Sequence, residues 1–139
     1  MVRDEERRDG VKVGQQLSAA AKDYLSTIYE LDSGNGVRSV DVANQLGVSK
    51  PSVNKAIRML SQQGYLMQER YAQIQLTPQG IQTAKEIQKK EEIVRLLLED
   101  VFGLEEEPAR RDAKRISQVI EQRTFDKMRM YLNNFHYNN

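Results

Sequence analysis

Cysteine and tryptophan are absent from this 139-residue chain, and its single histidine, His136, stands near the end. Without thiols there are no disulfides and no thiolate ligands or nucleophiles, and one imidazole cannot build a histidine-rich metal centre. Catalytic sets are scarce for the same reason. His136 sits in "NNFHYNN" with no nucleophile or paired carboxylates at a suggestive spacing, so it reads as a surface residue and no enzyme is expected. Long apolar runs are missing too: none approaches the roughly 18 residues of a membrane span. The opening "MVRDEERRDG" has no signal-peptide core, so the expected address is the cytoplasm and no membrane partner is expected. Charge of one sign is also lacking, the formal net charge being +1, which by itself says nothing about partners.

What is present suits a soluble globular chain: 39% hydrophobic and 29% charged residues, in a length that allows one sizeable core or a small domain with a helical appendage. The charge is unevenly spread. Between Gly36 and Gly80 the cations are Arg38, Lys50, Lys55, Arg58 and Arg70, against Asp41 and Glu69 alone. Residues 1–16 carry both signs without an apolar period and read as a mobile tail, with a basic arm touching phosphates as the alternative.

From Ser18, an N-cap residue, "AAAKDYLSTIYEL" puts Ala21, Tyr24, Leu25, Ile28 and Leu31 on one helical face. The helix should stop at "DSGNG", which leads through Val37 to a short amphipathic helix, "VDVANQLG", ended by Gly47. In "VSKPSVNKAIRMLSQQG", Ser49 can cap, Pro51 lies in the first turn, and Val53, Ile57 and Leu60 form the apolar stripe. Two short helices around a tight turn make a helix-turn-helix. The segments "YLMQE" and "QIQLT" read as a hairpin, which makes the motif winged.

Thr77 and Pro78 then start a long helix with Ile81, Ala84, Ile87, Val94, Leu97, Leu98 and Val101 inward. Gly103 and "EEEP" interrupt it. In "DAKRISQVIEQ" the spacing of Ala113, Ile116, Val119 and Ile120 predicts an inward face, beside a polar stripe of Lys114, Ser117, Gln118 and Glu121. A last helix, "TFDKMRMYLNNF", turns Phe125, Met128 and Leu132 inward. The fold class expected is mainly α: a winged helix-turn-helix over residues 17–77 and a helical region over 78–139. The second region exposes more apolar surface than it can cover alone, so a homodimer is expected.

Ser49, Lys50, Pro51, Ser52, Asn54, Lys55 and Arg58 gather short polar groups and longer cations on one side of the second helix of the motif. A helix read against base edges and phosphates in the major groove of double-stranded DNA needs that combination. Asn54 is the best candidate for reading adenine. At the hairpin bend, Arg70 and Tyr71 either lie over a phosphate or, for Tyr71, simply pack the wing. A winged helix that binds another protein is the rival reading, since the overall charge is nearly balanced.

Four blocks, "KDYLSTIYEL", "VDVANQLGVSKPSVNKAIRMLSQQGYL", "ERYAQIQLTPQG" and "DAKRISQVIEQRTFDKM", resemble the DtxR/MntR family of metal-dependent transcriptional repressors over residues 18 to about 132. The chain stops where the longer branch continues into an SH3-like domain, so it is similar to the short, manganese-responsive branch. The resemblance implies a DNA-binding homodimer reading an operator, with a divalent metal joining the two regions. It also carries the family's ligand positions onto Asp23 and Ser26, onto Glu91 and Arg95, and onto Lys114, Ser117 and Gln118, where only Asp23 and Glu91 are acids.

A charged Lys114 about 4 Å from a dication is repelled by roughly 8 kcal/mol at an effective dielectric near 20. Deprotonating it at neutral pH costs roughly 4 to 5 kcal/mol. Ser117 and Gln118 are weak ligands. From this the expectation is that no cofactor takes part, manganese being possible but disfavoured. Ion pairs among Asp23, Glu91, Arg95 and Lys114 would tie the regions together; the alternatives are a solvated face whose charges pair with nothing in particular and a small organic effector.

Overall fold

The computed structural model describes residues 17–68 and 73–139. The expected N-terminal tail and the wing-tip residues Arg70 and Tyr71 lie outside the described residues. Among the described residues about three-quarters are helical, in six helices and beside one small sheet, and the chain divides into two compact units, Met1–Lys85 and Glu86–Asn139.

In the first unit, α1 (Ala19–Leu31) starts where the Ser18 hydroxyl accepts from the Ala21 N–H at 3.1 Å. Its inner face is Ala21, Tyr24, Leu25 and Ile28, the three-and-four spacing of a helix buried on one side. Asp32 ends it and organises the next turn, its carboxylate accepting from the N–H groups of Gly34 (2.8 Å) and Gly36 (3.1 Å). At Gly36, φ is +91° and a Cβ would stand 2.9 Å from the Gln73 Cβ, so only glycine fits there without strain. Val37 then exchanges two backbone hydrogen bonds with Ile74 (2.9 and 2.8 Å), a one-residue strand that the sequence reading treated as loop.

Helix α2 (Ser39–Leu46) closes on Gly47 in the left-handed conformation, and α3 (Lys50–Gln62) opens on Ser49, whose hydroxyl accepts from the Ser52 N–H at 3.2 Å. These two helices and their tight turn are the expected helix-turn-helix. Strands β1 (Leu66–Gln68) and β2 (Ile74–Leu76) pair antiparallel, Leu66 opposite Leu76 and Gln68 opposite Ile74, and form the wing. Leu25, Ile28, Val42, Val53, Leu60 and Ile74 meet in one fully buried core. Each such side chain contributes about 1.5 to 3 kcal/mol by leaving water.

Helix α4 (Pro78–Leu96) runs on into a π-helical turn, Leu97–Val101, and Gly103 with φ +76° ends it. One of its expected inward residues differs: Ile81 is exposed, whereas Ile87, Leu98 and Val101 are half-buried and Ala84, Val94 and Leu97 buried. Gly80 takes the inward place, because a Cβ there would stand 2.1 Å from the Tyr65 carbonyl oxygen. With Gly80 and Ala84 inward, Ile81, 100° further round the helix, faces out.

The second unit holds α5 (Glu106–Val119) and α6 (Gln122–Asn138). Val94, Ala113 and Phe125 centre its core, with Ile93, Leu98, Ile116, Ile120 and Met128 packed around them. Val119 is not inward as expected but 77% exposed. The inward line of α5 is Ala109, Ala113 and Ser117, small residues at i, i+4 and i+8 that let the backbone approach closely. Ser117 therefore belongs to the buried face rather than to a polar stripe. His136 is at the surface as expected, and its Nε2 lies 2.7 Å from Oδ2 of Asp100. Among the described residues no helix is long and apolar enough to cross a membrane.

Candidate nucleic-acid interface

Lys50, Pro51, Ser52, Asn54, Lys55 and Arg58 are all exposed on α3, opposite the buried line of Val53, Ile57 and Leu60. The core thus holds α3 by one face and presents the other to solvent. Ser49 and Ser52 fix its start: beyond the cap, the Ser49 hydroxyl donates to Oγ of Ser52 at 2.9 Å. No acid stands in the first turn of α3, so the partial positive charge of its N-terminus adds to the cations.

Two features of the first unit were not read from the sequence. Met59 and Val48 are also exposed, and Met59 lines a niche of about 190 Å³ with Ala20, Ala21, Tyr24 and Ala56, Lys55 at its rim. A polar groove of about 460 Å³ lies between α2 and β2, with Arg38, Asp41, Asn44 and Gln73 on its walls. There Arg38 pairs with Asp41 at 3.2 Å, both side chains reaching solvent.

The positions that the resemblance assigned to an effector fall in both units. On α1, Asp23 is half-buried, whereas Ser26 is buried and its Oγ has no hydrogen-bond partner among the described residues. In the second unit Glu91, Lys114 and Gln118 are half-buried, and the Ser117 hydroxyl donates to the Lys114 carbonyl at 3.1 Å. Arg95 differs from expectation. Its Nη1 meets Oε2 of Glu99 at 2.8 Å, and that hydrogen bond raises the guanidinium pKa above its ordinary range. Glu99 is one helical turn ahead of Arg95, a pairing that helix geometry supplies without any long-range ordering.

Residues 16–74 match the family described as Iron dependent repressor, N-terminal DNA binding domain, and residues 77–139 its metal binding and dimerisation domain. The Transcriptional regulator MntR of Escherichia coli O157:H7 is 31% identical over 134 residues, 94% of this chain and 86% of that protein. The chain belongs to the iron dependent repressor family. This is the DtxR/MntR resemblance carried by the four sequence blocks, and its members are regulators, not enzymes.

An HTH-type transcriptional regulator of Methanocaldococcus jannaschii is 26% identical over 121 residues, 86% of this chain and 97% of that protein. Among solved structures, a manganese-dependent transcriptional repressor in complex with manganese superposes with a TM-score of 0.71 at 23% identity, covering 81% of this chain and 52% of that one. The chain spans about half the length of that repressor, and the likeness establishes the shared fold.

Family membership corrects the expectation that no cofactor takes part: residues 77–139 match a domain whose description is metal binding. Ligand substitution at single positions was too narrow a ground for excluding an ion from a whole domain. The donors at the assigned positions are two carboxylates (Asp23, Glu91), two hydroxyls (Ser26, Ser117) and the Gln118 amide. They are divided between the two units and stand beside the cations Arg95 and Lys114, so these positions do not by themselves make up a ligand set. Among the described residues no three His, Cys, Asp or Glu side chains converge.

Proposed function

We propose that this chain is a cytoplasmic, sequence-specific repressor that binds double-stranded operator DNA as a homodimer, one α3 per half-site. The observation that carries the reading is the exposed row of Ser52, Asn54, Lys55 and Arg58 on a helix whose other face is locked in a core. The winged helix-turn-helix before it and the match of residues 77–139 to a dimerisation domain support two heads in one particle. Two such heads read half-sites about one helical turn, or a multiple of it, apart. Lys50, Lys55 and Arg58, with Arg70 of the wing, supply phosphate or guanine contacts, Asn54 reads adenine, and Tyr71 flanks the backbone.

Residues 17–77 form the DNA-binding domain in this reading and 78–139 the dimerisation domain. The manganese named for relatives comes here as a proposal too: a hard divalent ion at the second domain tunes operator affinity. Electrophoretic mobility shift with genomic fragments tests the core of the reading. A subset of fragments should be retarded in the presence of excess nonspecific competitor. Retardation of every fragment alike, or of none, would instead favour a nonspecific or a protein-binding winged helix.

A further inference from the structure

Three hydrogen bonds converge on one residue, Thr77, just before α4. The Thr77 hydroxyl donates to the Gly64 carbonyl at 2.6 Å and accepts from the Gly80 N–H at 3.0 Å. Its own N–H donates to the Tyr65 carbonyl at 3.1 Å. Gly64 and Tyr65 are in turn held to α3, the Gly64 N–H on Ser61 O and the Tyr65 N–H on Leu60 O. Gly80 completes the junction, since its missing Cβ is what lets the first turn of α4 sit against the Tyr65 carbonyl.

A single hydroxyl thus caps α4 and bonds the turn that ends α3. Capping alone needs only the bond to Gly80; the bond to Gly64, thirteen residues back, has no role in a cap. Tyr65 is fully buried, and burial raises its phenol pKa.

We propose that Thr77 is a positioning residue for DNA recognition: it clamps the end of the recognition helix to the start of α4, so that the first turns of α4 move as part of the reading head. The proposal rests on the DNA-binding reading above. Its consequence is a fixed aim for α3 along α4, the segment by which the head is joined to the dimerisation domain. A head whose aim is fixed at its own end of α4 discriminates half-site spacing better than one free to swivel there. With the clamp open, each head would still attract phosphates but would tolerate shifted half-sites.

The chain has no native cysteine, so labels can be placed at will. Spin labels at Gln62→Cys and Lys85→Cys, both exposed and both in the first unit, report the angle by pulsed EPR in homodimers diluted with unlabelled protein. The wild-type background should give one narrow distance distribution, Thr77→Val one at least twice as broad, and Thr77→Ser, which keeps the hydroxyl, the narrow one again. In parallel, a selected operator is compared with one carrying a single inserted base pair between half-sites. Wild type and Thr77→Ser should discriminate at least tenfold, and Thr77→Val less than threefold with unchanged salt dependence.

A broad distribution in the wild-type background overturns the proposal even if Thr77→Val does not fold. So does full spacing discrimination by a folded Thr77→Val. A wild-type protein that binds no DNA overturns the DNA-binding reading instead, and the EPR widths still decide the clamp.

Discussion

Replacing Arg58 by alanine should change the salt dependence of DNA binding by a calculable amount. Lys50, Lys55 and Arg58 are exposed on α3, and in a homodimer each occurs twice. If all of them displace counterions, log K against log salt should fall with a slope of about −5.4, at about 0.9 per phosphate neutralised. Between 50 and 200 mM salt the wild-type dimer would then weaken about 1,800-fold, and the Arg58→Ala dimer, with a slope of about −3.6, only about 150-fold. Fluorescence anisotropy of a labelled duplex over that salt range measures both slopes. Arg58 has no part in the core, so circular dichroism and the urea midpoint should stay at wild-type values. A variant with the wild-type slope would refute a phosphate role for Arg58. A wild-type slope near −2 would show that α3 does not approach the backbone with its cationic face.

Two other perturbations probe the core and the metal-binding domain. Leu25 is fully buried on α1, so Leu25→Ala should lower unfolding stability by about 2 to 5 kcal/mol; a urea-denaturation loss below about 1 kcal/mol would mean that the cavity collapses or that α1 does not hold the head. Manganese titrated into EDTA-treated protein should tighten operator binding. Its midpoint should lie above that of a site with imidazole ligands, because only oxygen donors stand at the assigned positions and Lys114 opposes a cation. Operator affinity unchanged by the ion would remove manganese from the regulatory reading.

The head was legible because its elements are short, amphipathic and punctuated. Ser18, Gly47, Ser49 and Pro51 mark helix ends by chemistry that works locally, and the Val53, Ile57, Leu60 period survives folding because a single core face receives it. Val37 was missed for the opposite reason. A one-residue strand has no period, and its pairing with Ile74 is fixed by the Asp32–Gly36 turn and not by anything at Val37 itself.

In the second unit the miss at Val119 has a different origin. Counting large apolar residues along α5 favours Val119, yet the most buried line is the one with the smallest side chains, Ala109, Ala113 and Ser117. The two faces share Ala113 and differ by a rotation of only about 50°, at 100° per residue, and only the partner surface selects between them. This changes what the polar residues of α5 signify. Ser117 is set by packing, so its presence at an assigned ligand position tells as much about the closeness of helices as about an ion.

Arg95 carries the same lesson in electrostatic form. An acid four residues ahead on the same helix, Glu99, reaches it at 2.8 Å with little loss of chain freedom. A partner elsewhere in the fold must order two long side chains to do as well. Reading charges position by position overlooks such local pairs. It also led from substituted ligands to an absent cofactor, although the match of residues 77–139 to a metal-binding domain rests on the pattern of the whole segment. For this second unit, the chemistry of a position follows from its neighbours on the helix before it follows from its counterpart in a relative.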